Sequence, residues 1–132
     1  MAENGLVTVQ SAFGAKETVD RLVAVVKAKG MSVFARIDHA AGAAEVGLVL
    51  RPTELVIFGN AKGGTPLMEA KQTIGIDLPL KALVWQDAGG KVWLSYNEPE
   101  WLAQRHGETA LKAVTDRLAG ALAAVTKAAT GT

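Results

Sequence analysis

Two β-type segments joined by a short turn constrain the fold of this 132-residue chain more than any other feature. Residues 78–86 (LPLKALVWQ) and 91–97 (KVWLSYN) are rich in β-branched and aromatic residues, and the turn sequence DAGG separates them. This pattern predicts a β-hairpin, and therefore at least one antiparallel pair of strands. With Ala88-Gly89 at the tip of the turn, Lys81 is expected to lie opposite Tyr96.

The other elements follow from the spacing of apolar residues along the chain. Strands are expected at residues 6–10, 31–38, 48–50 and 53–58. Helices are expected at residues 19–30, 65–75, 97–106 and 111–125, with one or two helical turns at 39–47. Thr65 and Pro66 are suited to the first turn of a helix, where a threonine side chain can cap a free N–H group and proline lacks one.

The order of these elements indicates the fold class. Strands and helices alternate in the first half of the chain, the hairpin follows, and helices complete the sequence. This order predicts an α+β fold: a two-layer α/β sandwich with a mixed sheet of about five to six strands, covered by helices on one face. No repeat, linker or low-complexity tract interrupts the chain, so residues 1–132 are expected to form a single domain.

Composition excludes several classes of function. The chain is 49% hydrophobic and 20% charged, has a net charge of +1 and contains no cysteine. Binding to nucleic acid or to an anionic membrane surface would need a basic stripe, so neither partner is expected. Without cysteine there can be no disulfide, catalytic thiol or Cys-ligated zinc. The N-terminal residues lack the basic and apolar regions of a signal peptide, and a cytoplasmic protein is the default expectation.

A glycine-rich segment, Gly59–Thr65, follows an apolar strand and is the best candidate for a binding site. Several backbone N–H groups in such a segment can point to one anion, and the Lys62 amine would add a positive charge. The segment is not a nucleotide-binding loop, because Thr65 follows Gly64 without an intervening lysine. A structural turn with a capped helix is the alternative interpretation. The residues predicted to bind a ligand are Arg36, His39, Asn60, Lys62, Gly63, Gly64 and Thr65.

Asp38, His39 and Lys81 are the candidates for catalysis. A carboxylate beside an imidazole is suited to acid–base chemistry, and a half-buried lysine can act as a nucleophile or bind an anion. Each has a structural explanation as well: Asp38 can cap the turn that follows it, and the Lys81 stem can lie on apolar surface with its amine near Asp77. His39 could also ligate haem or a metal, although a metal usually needs several ligands. No metal site is predicted, and no cofactor can be identified.

Four segments resemble a known family, the domain of unknown function 302 of bacteria and archaea. The segments are VFARIDHAAGA (33–43), PTELVIFGNAKGGTPLM (52–68), IDLPLKALVW (76–85) and YNEPEWLAQRH (96–106). The resemblance implies a two-layer α/β domain that is commonly dimeric, and it implies neither an activity nor catalytic residues. Family members usually have Asn-Pro-Lys where this chain has Asn60-Ala61-Lys62, a difference that loosens the turn and retains the amine.

Apolar residues occupy both faces of the strand expected at 53–58, with Val56 and Phe58 on one face and Leu55 and Ile57 on the other. One layer of helices covers only one face of a sheet. A second copy of the chain is the simplest cover for the other face, so a homodimer is expected. A ligand cavity between the layers is the alternative.

The leading hypothesis is therefore a small homodimeric binding domain that holds a small anionic or amphipathic ligand near Gly59–Thr65. The first alternative is an enzyme that uses Asp38-His39 or Lys81 as its acid–base or nucleophilic group. The second alternative is a haem- or metal-binding protein that uses His39.

Overall fold

The computed structural model describes residues 3–132, in which a sheet of five strands packs against a layer of helices. The strands are β1 (Leu6–Gln10), β2 (Ser32–Asp38), β3 (Thr53–Gly59), β4 (Leu80–Gln86) and β5 (Val92–Asn97). The helices are α1 (Ala15–Ala28), α2 (His39–Glu45), α3 (Ala61–Ala70), α4 (Pro99–Arg105) and α5 (Lys112–Thr130), with a 3₁₀ helix at Gln72–Ile76. The predicted α+β fold with two layers is confirmed.

The sheet is open, in the order β1-β5-β4-β3-β2, and each neighbouring pair of strands is antiparallel. The expectation of a mixed sheet is therefore wrong. The alternation of strands and helices suggested parallel neighbours, but α1 joins two strands that lie at opposite edges of the sheet. β1 and β2 run in the same direction without touching, because three other strands lie between them.

The core lies between the sheet and the two long helices, α1 and α5. Leu22 and Val26 of α1 and Val125 of α5 are completely buried against Val56 and Phe58 of β3. Full burial of a side chain of this size contributes about 1.5–3 kcal/mol relative to leaving it exposed. This burial fixes α1 and α5 on one face of the sheet.

The β4–β5 hairpin is confirmed, but its register differs by one residue from the predicted register. Gln86 pairs with Val92, so Ala82 lies opposite Tyr96 where Lys81 was expected. Because successive residues of a strand face opposite sides of a sheet, the shift separates Lys81 from Tyr96. Tyr96 packs against the core on the helix side, and Lys81 faces the other side.

The Asp87 side chain explains this register. Its carboxylate accepts hydrogen bonds from the N–H groups of Gly89 and Lys91 and from Trp93 Nε1, each at 2.9 Å. These bonds, the one from Trp93 foremost, lower the pKa of Asp87. They close a turn with three residues at its tip, and Gly90 there has a φ of +85°, which favours glycine.

The glycine-rich segment forms the first turn of α3, and the expectation that this helix begins at Thr65 is wrong. Asn60 is the N-cap, and its side chain accepts a hydrogen bond from the Gly63 N–H at 2.7 Å. Asparagine satisfies a free donor at a helix start at least as well as threonine does, so the helix begins four residues earlier than predicted. Pro66 lies inside the helix, where it removes one backbone hydrogen bond.

The strand expected at residues 48–50 is absent, and these residues form irregular structure. Leu48 and Leu50 are 65% and 47% exposed, and Val49 is fully exposed. β2 ends at Asp38, which pairs with Glu54, and α2 begins at the next residue. If β3 extended back to residues 48–50, it would therefore have no part of β2 beside it.

Candidate functional site

An apolar cavity of about 460 Å³ lies beside the first turn of α3, between α3, α5 and the start of β4. We call it the α3 cavity. Its wall consists of apolar side chains and glycines apart from Asn60 and Arg117. The larger apolar side chains in this wall are Met31, Phe34, Met68, Leu78, Leu80, Val114 and Leu118.

Two glycines allow α3 to approach α5 and the segment before β4 closely. A Cβ atom at Gly63 would lie 3.1 Å from the Leu118 side chain, and one at Gly64 would lie 3.3 Å from Leu78. The N–H groups of both glycines bond to Asn60, so they are used within the helix cap. The two glycines therefore shape the wall of the α3 cavity, and their N–H groups do not form the anion cradle that was predicted for a loop.

Arg117 is the charged residue in the wall of the α3 cavity. It lies on the same face of α5 as Val114 and Ala121, at helical spacing. Among residues 3–132, the ion pairs do not include Arg117. The first turn of α3 also carries no acidic side chain. The rim of the α3 cavity is therefore positively polarised by a guanidinium and by the start of a helix.

A second cavity, of about 480 Å³, lies between α1 and the paired ends of β2 and β3, and we call it the charged cavity. Arg36 Nε donates to Glu54 Oε2 at 2.8 Å, and Arg36 Nη2 lies 4.0 Å from the Asp20 carboxylate. The hydrogen bond to Glu54 raises the pKa of Arg36, and the bond from Lys16 lowers the pKa of Asp20. The cations in this wall are therefore already paired with carboxylates of the same wall.

The residues predicted to bind a ligand do not form one site. Asn60, Gly63 and Gly64 line the α3 cavity, whereas Lys62 and Thr65 are exposed on α3 outside its wall. Arg36 lies in the wall of the charged cavity, and His39 is exposed at the start of α2. The predicted loop thus lies beside a cavity, but the predicted cations lie elsewhere.

Sequence reasoning missed Arg117, although a signal for it was present. Arg117 lies three residues after Val114 and four before Ala121, inside the apolar stripe of the last helix. A cation within such a stripe has to lie at the edge of an apolar surface, and that position suits the rim of a cavity.

The catalytic candidates do not form one site, because Lys81 lies apart from Asp38 and His39. Asp38 accepts a hydrogen bond from the Ala41 N–H at 2.9 Å and caps α2, as its structural explanation predicted, and His39 is exposed beside it. Lys81 Nζ donates to the backbone carbonyls of Asp77 and Pro79 at 3.0 and 2.9 Å. Burial lowers the pKa of Lys81. Asp38 lines the charged cavity on the helix side of the sheet, while Lys81 faces the other side, so the two cannot act on one substrate.

A polar cluster that the sequence did not predict joins the 3₁₀ helix to the end of α4. The Asp77 carboxylate accepts hydrogen bonds from Arg105 Nη1 at 2.8 and 2.9 Å and pairs with His106 Nε2. His106 Nδ1 shares a hydrogen bond with Thr73 Oγ1 at 2.9 Å. The side chains of Asp77 and His106 are only 16% and 10% exposed. Leu78, which directly follows Asp77, lines the α3 cavity, so this cluster adjoins one part of its wall.

Among the residues that the structure describes, no set of metal ligands surrounds His39. Within residues 3–132, no three His, Asp or Glu side chains are placed to hold a metal ion together. In this described part of the chain, His39 at the exposed start of a short helix therefore lacks the partner side chains that a metal site built on it would need.

Residues 7–125 match the sequence profile of a family described as Domain of unknown function DUF302. The chain belongs to the DUF302 family. The crystal structure of an uncharacterized conserved DUF302 protein from Bacillus stearothermophilus has the same fold, with a TM-score of 0.85 over 95% of this chain and 98% of that chain. The sequence identity is 24%, so this likeness concerns the fold alone. The resemblance that the four sequence segments indicated is confirmed.

This DUF302 chain is also similar to curated Brucella proteins. It is 59% identical over 104 residues to proteins named fluoride-specific ion channel FluC 1 of Brucella suis and of Brucella abortus, and FluC 2 of Brucella melitensis. The match covers 79% of this chain, but 41% of the first relative and 38% of the other two. The chain therefore spans about two fifths of the length of these relatives.

The expectation of a cytoplasmic protein is wrong in the light of these relatives. They are named as ion channels, a class of membrane protein, and are 59% identical to most of this chain. The expectation rested on the lack of a targeting signal in these 132 residues. That lack gives no information about the location of longer proteins that contain a similar region. Within residues 3–132, no helix combines the length and the apolar character needed to cross a bilayer.

Proposed function

We propose that this DUF302 chain is a binding domain that holds a small amphipathic ligand in the α3 cavity. The observation that carries the proposal is the cavity itself, with about 460 Å³ of space and an almost wholly apolar wall. Small-molecule sites are typically concave, about 300–1,000 Å³ in volume, and apolar with a few polar groups. The sequence left a small anion and an amphipathic molecule open as ligands, and this wall favours the amphipathic one.

The volume of the α3 cavity limits the size of the ligand. A dry cavity of about 150 Å³ is sufficient for one benzene molecule. The α3 cavity is about three times as large, so an apolar body of about two or three rings, or a chain of similar volume, would fill it. The flexible side chains of Met31 and Met68 in its wall can adapt to ligands of different shape.

In the Brucella relatives, this proposal makes the DUF302 region an accessory binding domain joined to a channel. The match accounts for 41% or less of each relative, which leaves more than half of each chain for the function in its name. Fluoride itself is unsuited to the α3 cavity, because the wall offers only two polar side chains to replace the water around a small ion. Added fluoride should therefore leave binding in this cavity unchanged.

The proposal includes a homodimer that forms through the face of the sheet opposite the helices. Leu55 pairs with Leu83 on this face, and Trp85 stacks on Trp93 with ring centroids 6.2 Å apart. In the structure of residues 3–132 these side chains are half-buried, and they alternate along the strands with residues of the core. The same face also carries Lys81, and Ser95, which pairs with Leu83. A largely apolar face of this kind is typical of a protein interface, and twofold dimers are the commonest oligomers.

Fluorescence titration with N-phenylnaphthylamine, a neutral three-ring probe, tests the cavity. We expect binding by the unaltered protein and about tenfold weaker binding by Ala121→Phe, in which the larger side chain enters the cavity from α5. Ala123→Phe, on the exposed side of the same helix, is the matched control and should bind like the unaltered protein. No binding by the unaltered protein, or equal affinities in the two variants, would refute the cavity as the site.

Sedimentation equilibrium tests the dimer separately. We expect the unaltered protein to sediment as a dimer and Leu83→Lys to sediment as a monomer, because the new charge lies in the centre of the apolar face. Ala24→Lys, at an exposed position of α1 on the opposite layer, should leave the dimer intact. A monomeric unaltered protein, or dimers in all three cases, would refute this interface.

A further inference from the structure

We infer that Arg117 selects the ligand of the α3 cavity by charge, so that the ligand class is an amphipathic monoanion: a carboxylate or sulfonate on an apolar body. This inference rests on the proposed function, because it concerns the head group of the molecule that the cavity would hold. Its basis is the placement of a single guanidinium in a wall that is otherwise apolar apart from Asn60.

The position of Arg117 on α5 brings its charge to the cavity rim. Val114, Leu118 and Ala121 surround it on the same helix face and belong to the same wall. Arg117 itself is exposed, so its apolar stem can lie along the wall while the guanidinium stays at the edge of the solvent. An anionic head group bound there would leave the apolar body of the ligand inside the cavity.

No carboxylate within residues 3–132 compensates this charge at the cavity. The wall contains no Asp or Glu, and the ion pairs of the described residues do not include Arg117. The neighbouring acid on α5, Asp116, is bound to Lys112 at 3.0 Å. A ligand anion at Arg117 therefore does not have to displace an existing ion pair.

The start of α3 adds a second positive contribution at the same rim. α3 has ten residues, its first turn carries no acidic side chain, and Asn60 caps it with a neutral group. Asn60, Ala61 and Gly63 of this turn belong to the wall. A helix start carries about half a positive charge, which together with one guanidinium suits a ligand with one negative charge. The planar guanidinium fork also matches the two oxygens of a carboxylate.

Lys62, the cation that the sequence indicated, does not fit this role. It is exposed on α3 and does not belong to the wall of the α3 cavity. Lys62 and Arg117 therefore form a matched pair: both are exposed cations near the start of α3, and one of them lines the cavity. Removing each charge in turn separates recognition at the rim from a general attraction of anions to this surface.

The test compares two probes with the same aromatic rings, neutral N-phenylnaphthylamine and anionic anilinonaphthalene sulfonate. Each is titrated against the unaltered protein, Arg117→Gln, Arg117→Lys and Lys62→Gln. We expect the anionic probe to bind the unaltered protein about tenfold more tightly than the neutral one. Arg117→Gln should remove this preference without changing the affinity of the neutral probe. Arg117→Lys should restore part of the preference, and Lys62→Gln should retain it.

The outcomes distinguish this inference from the proposed function. If the neutral probe binds, Ala121→Phe weakens it, and Arg117→Gln has no larger effect on the anionic probe than Lys62→Gln, then Arg117 does not select the head group and the cavity proposal stands. If neither probe binds the unaltered protein, both proposals fail. Near-ultraviolet circular dichroism must show native packing in each variant, because anilinonaphthalene sulfonate also binds loosely packed states.

Discussion

The two cavities on the helix side of the sheet are almost equal in volume, about 460 and 480 Å³, and opposite in chemistry. The wall of the α3 cavity is apolar, and its single charge, Arg117, belongs to no ion pair among residues 3–132. The wall of the charged cavity contains Arg36 between the carboxylates of Glu54 and Asp20. The cavities therefore differ in how fully the protein has already compensated their charges.

This difference shows why volume is a poor guide to a binding site. A ligand that enters the charged cavity has to break an ion pair and replace the water around exposed charges, so its net gain is small. A ligand that enters the α3 cavity contacts apolar surface and the guanidinium of Arg117, which forms no ion pair among residues 3–132. Substitutions at Asp77, Gly63 and Glu54 each alter one cavity or its surroundings, and Lys81 on the opposite face of the sheet provides a separate test of burial.

The largest effect is expected for Asp77→Asn, which weakens the polar cluster behind the wall of the α3 cavity. Arg105 and His106 would lose their ionised acceptor, and the free energy of unfolding should fall by about 2 kcal/mol. Because Leu78 is the next residue and lines the cavity, affinity for N-phenylnaphthylamine should fall as well. Urea denaturation and probe titration measure the two effects.

Asp116→Asn is the control for this change. Asp116 pairs with Lys112 on the exposed side of α5, with both side chains more than half exposed. Its loss should change the free energy of unfolding by about 0.5 kcal/mol or less and leave probe binding unaltered. Equal effects of the two substitutions would contradict a special role of Asp77 at the α3 cavity.

A smaller effect is expected from adding one methyl group at two helical glycines. Gly120→Ala should raise the free energy of unfolding by about 1 kcal/mol, because alanine favours helix and nothing lies within 4 Å of the new atom. Gly63→Ala gains the same helix propensity, but its Cβ would lie 3.1 Å from the Leu118 side chain. The Gly63 variant should therefore be the less stable of the two in urea denaturation. Stability equal to that of the Gly120 variant would mean that Gly63 is not a packing position.

In the charged cavity, Glu54→Gln should cost about 0.5 kcal/mol of unfolding free energy, because the Arg36 side chain is 43% exposed. The substitution releases Arg36 from its closest partner. If the ion pair between Arg36 and Glu54 is what keeps this cavity from binding anions, the variant should gain weak binding of anilinonaphthalene sulfonate at a second site. A titration that still fits one site would mean that charge compensation does not explain the difference between the cavities.

The smallest effect concerns alkaline pH and Lys81. Burial lowers the pKa of Lys81 below its ordinary 10.5 in the folded protein. Between the lowered value and 10.5, the unfolded chain binds more protons at this group than the folded chain does, so its contribution to stability rises with pH in that window. Below the window, the folded protein bears the full cost of a buried charge.

Comparison with Lys81→Met isolates this contribution. Burial raises the pKa of Tyr96, so this group lowers stability as the pH rises above 10. Tyr96 is present in both proteins, so its contribution cancels in the difference between them. Thermal denaturation from pH 8 upwards should show the unaltered protein gaining stability relative to Lys81→Met as the pH rises towards 10.5. A difference that does not change with pH would contradict the lowered pKa.

Much of the fold could be predicted because it depends on local patterns. The hairpin, the α5 stripe and the cap at Asp38 each follow from residues close in sequence. The hairpin register was wrong by one residue because a single side chain, Asp87, bonds to Trp93 and enlarges the turn. The start of α3 was misplaced because Asn60 and Thr65 are both suitable caps, and only packing against Leu118 and Leu78 explains two glycines inside a helix.

The sequence by itself determined the DUF302 family, the α+β class and Gly59–Thr65 as the segment beside the proposed binding cavity. The family follows from the resemblance of four segments to known members. Spacing and composition are sufficient for the other two features, since these depend on which residues are apolar and where the chain turns. Only the tertiary structure decided which cation lines the cavity. Arg117 lies more than fifty residues after Lys62 in the chain, and it reaches the start of α3 because α5 packs against α3.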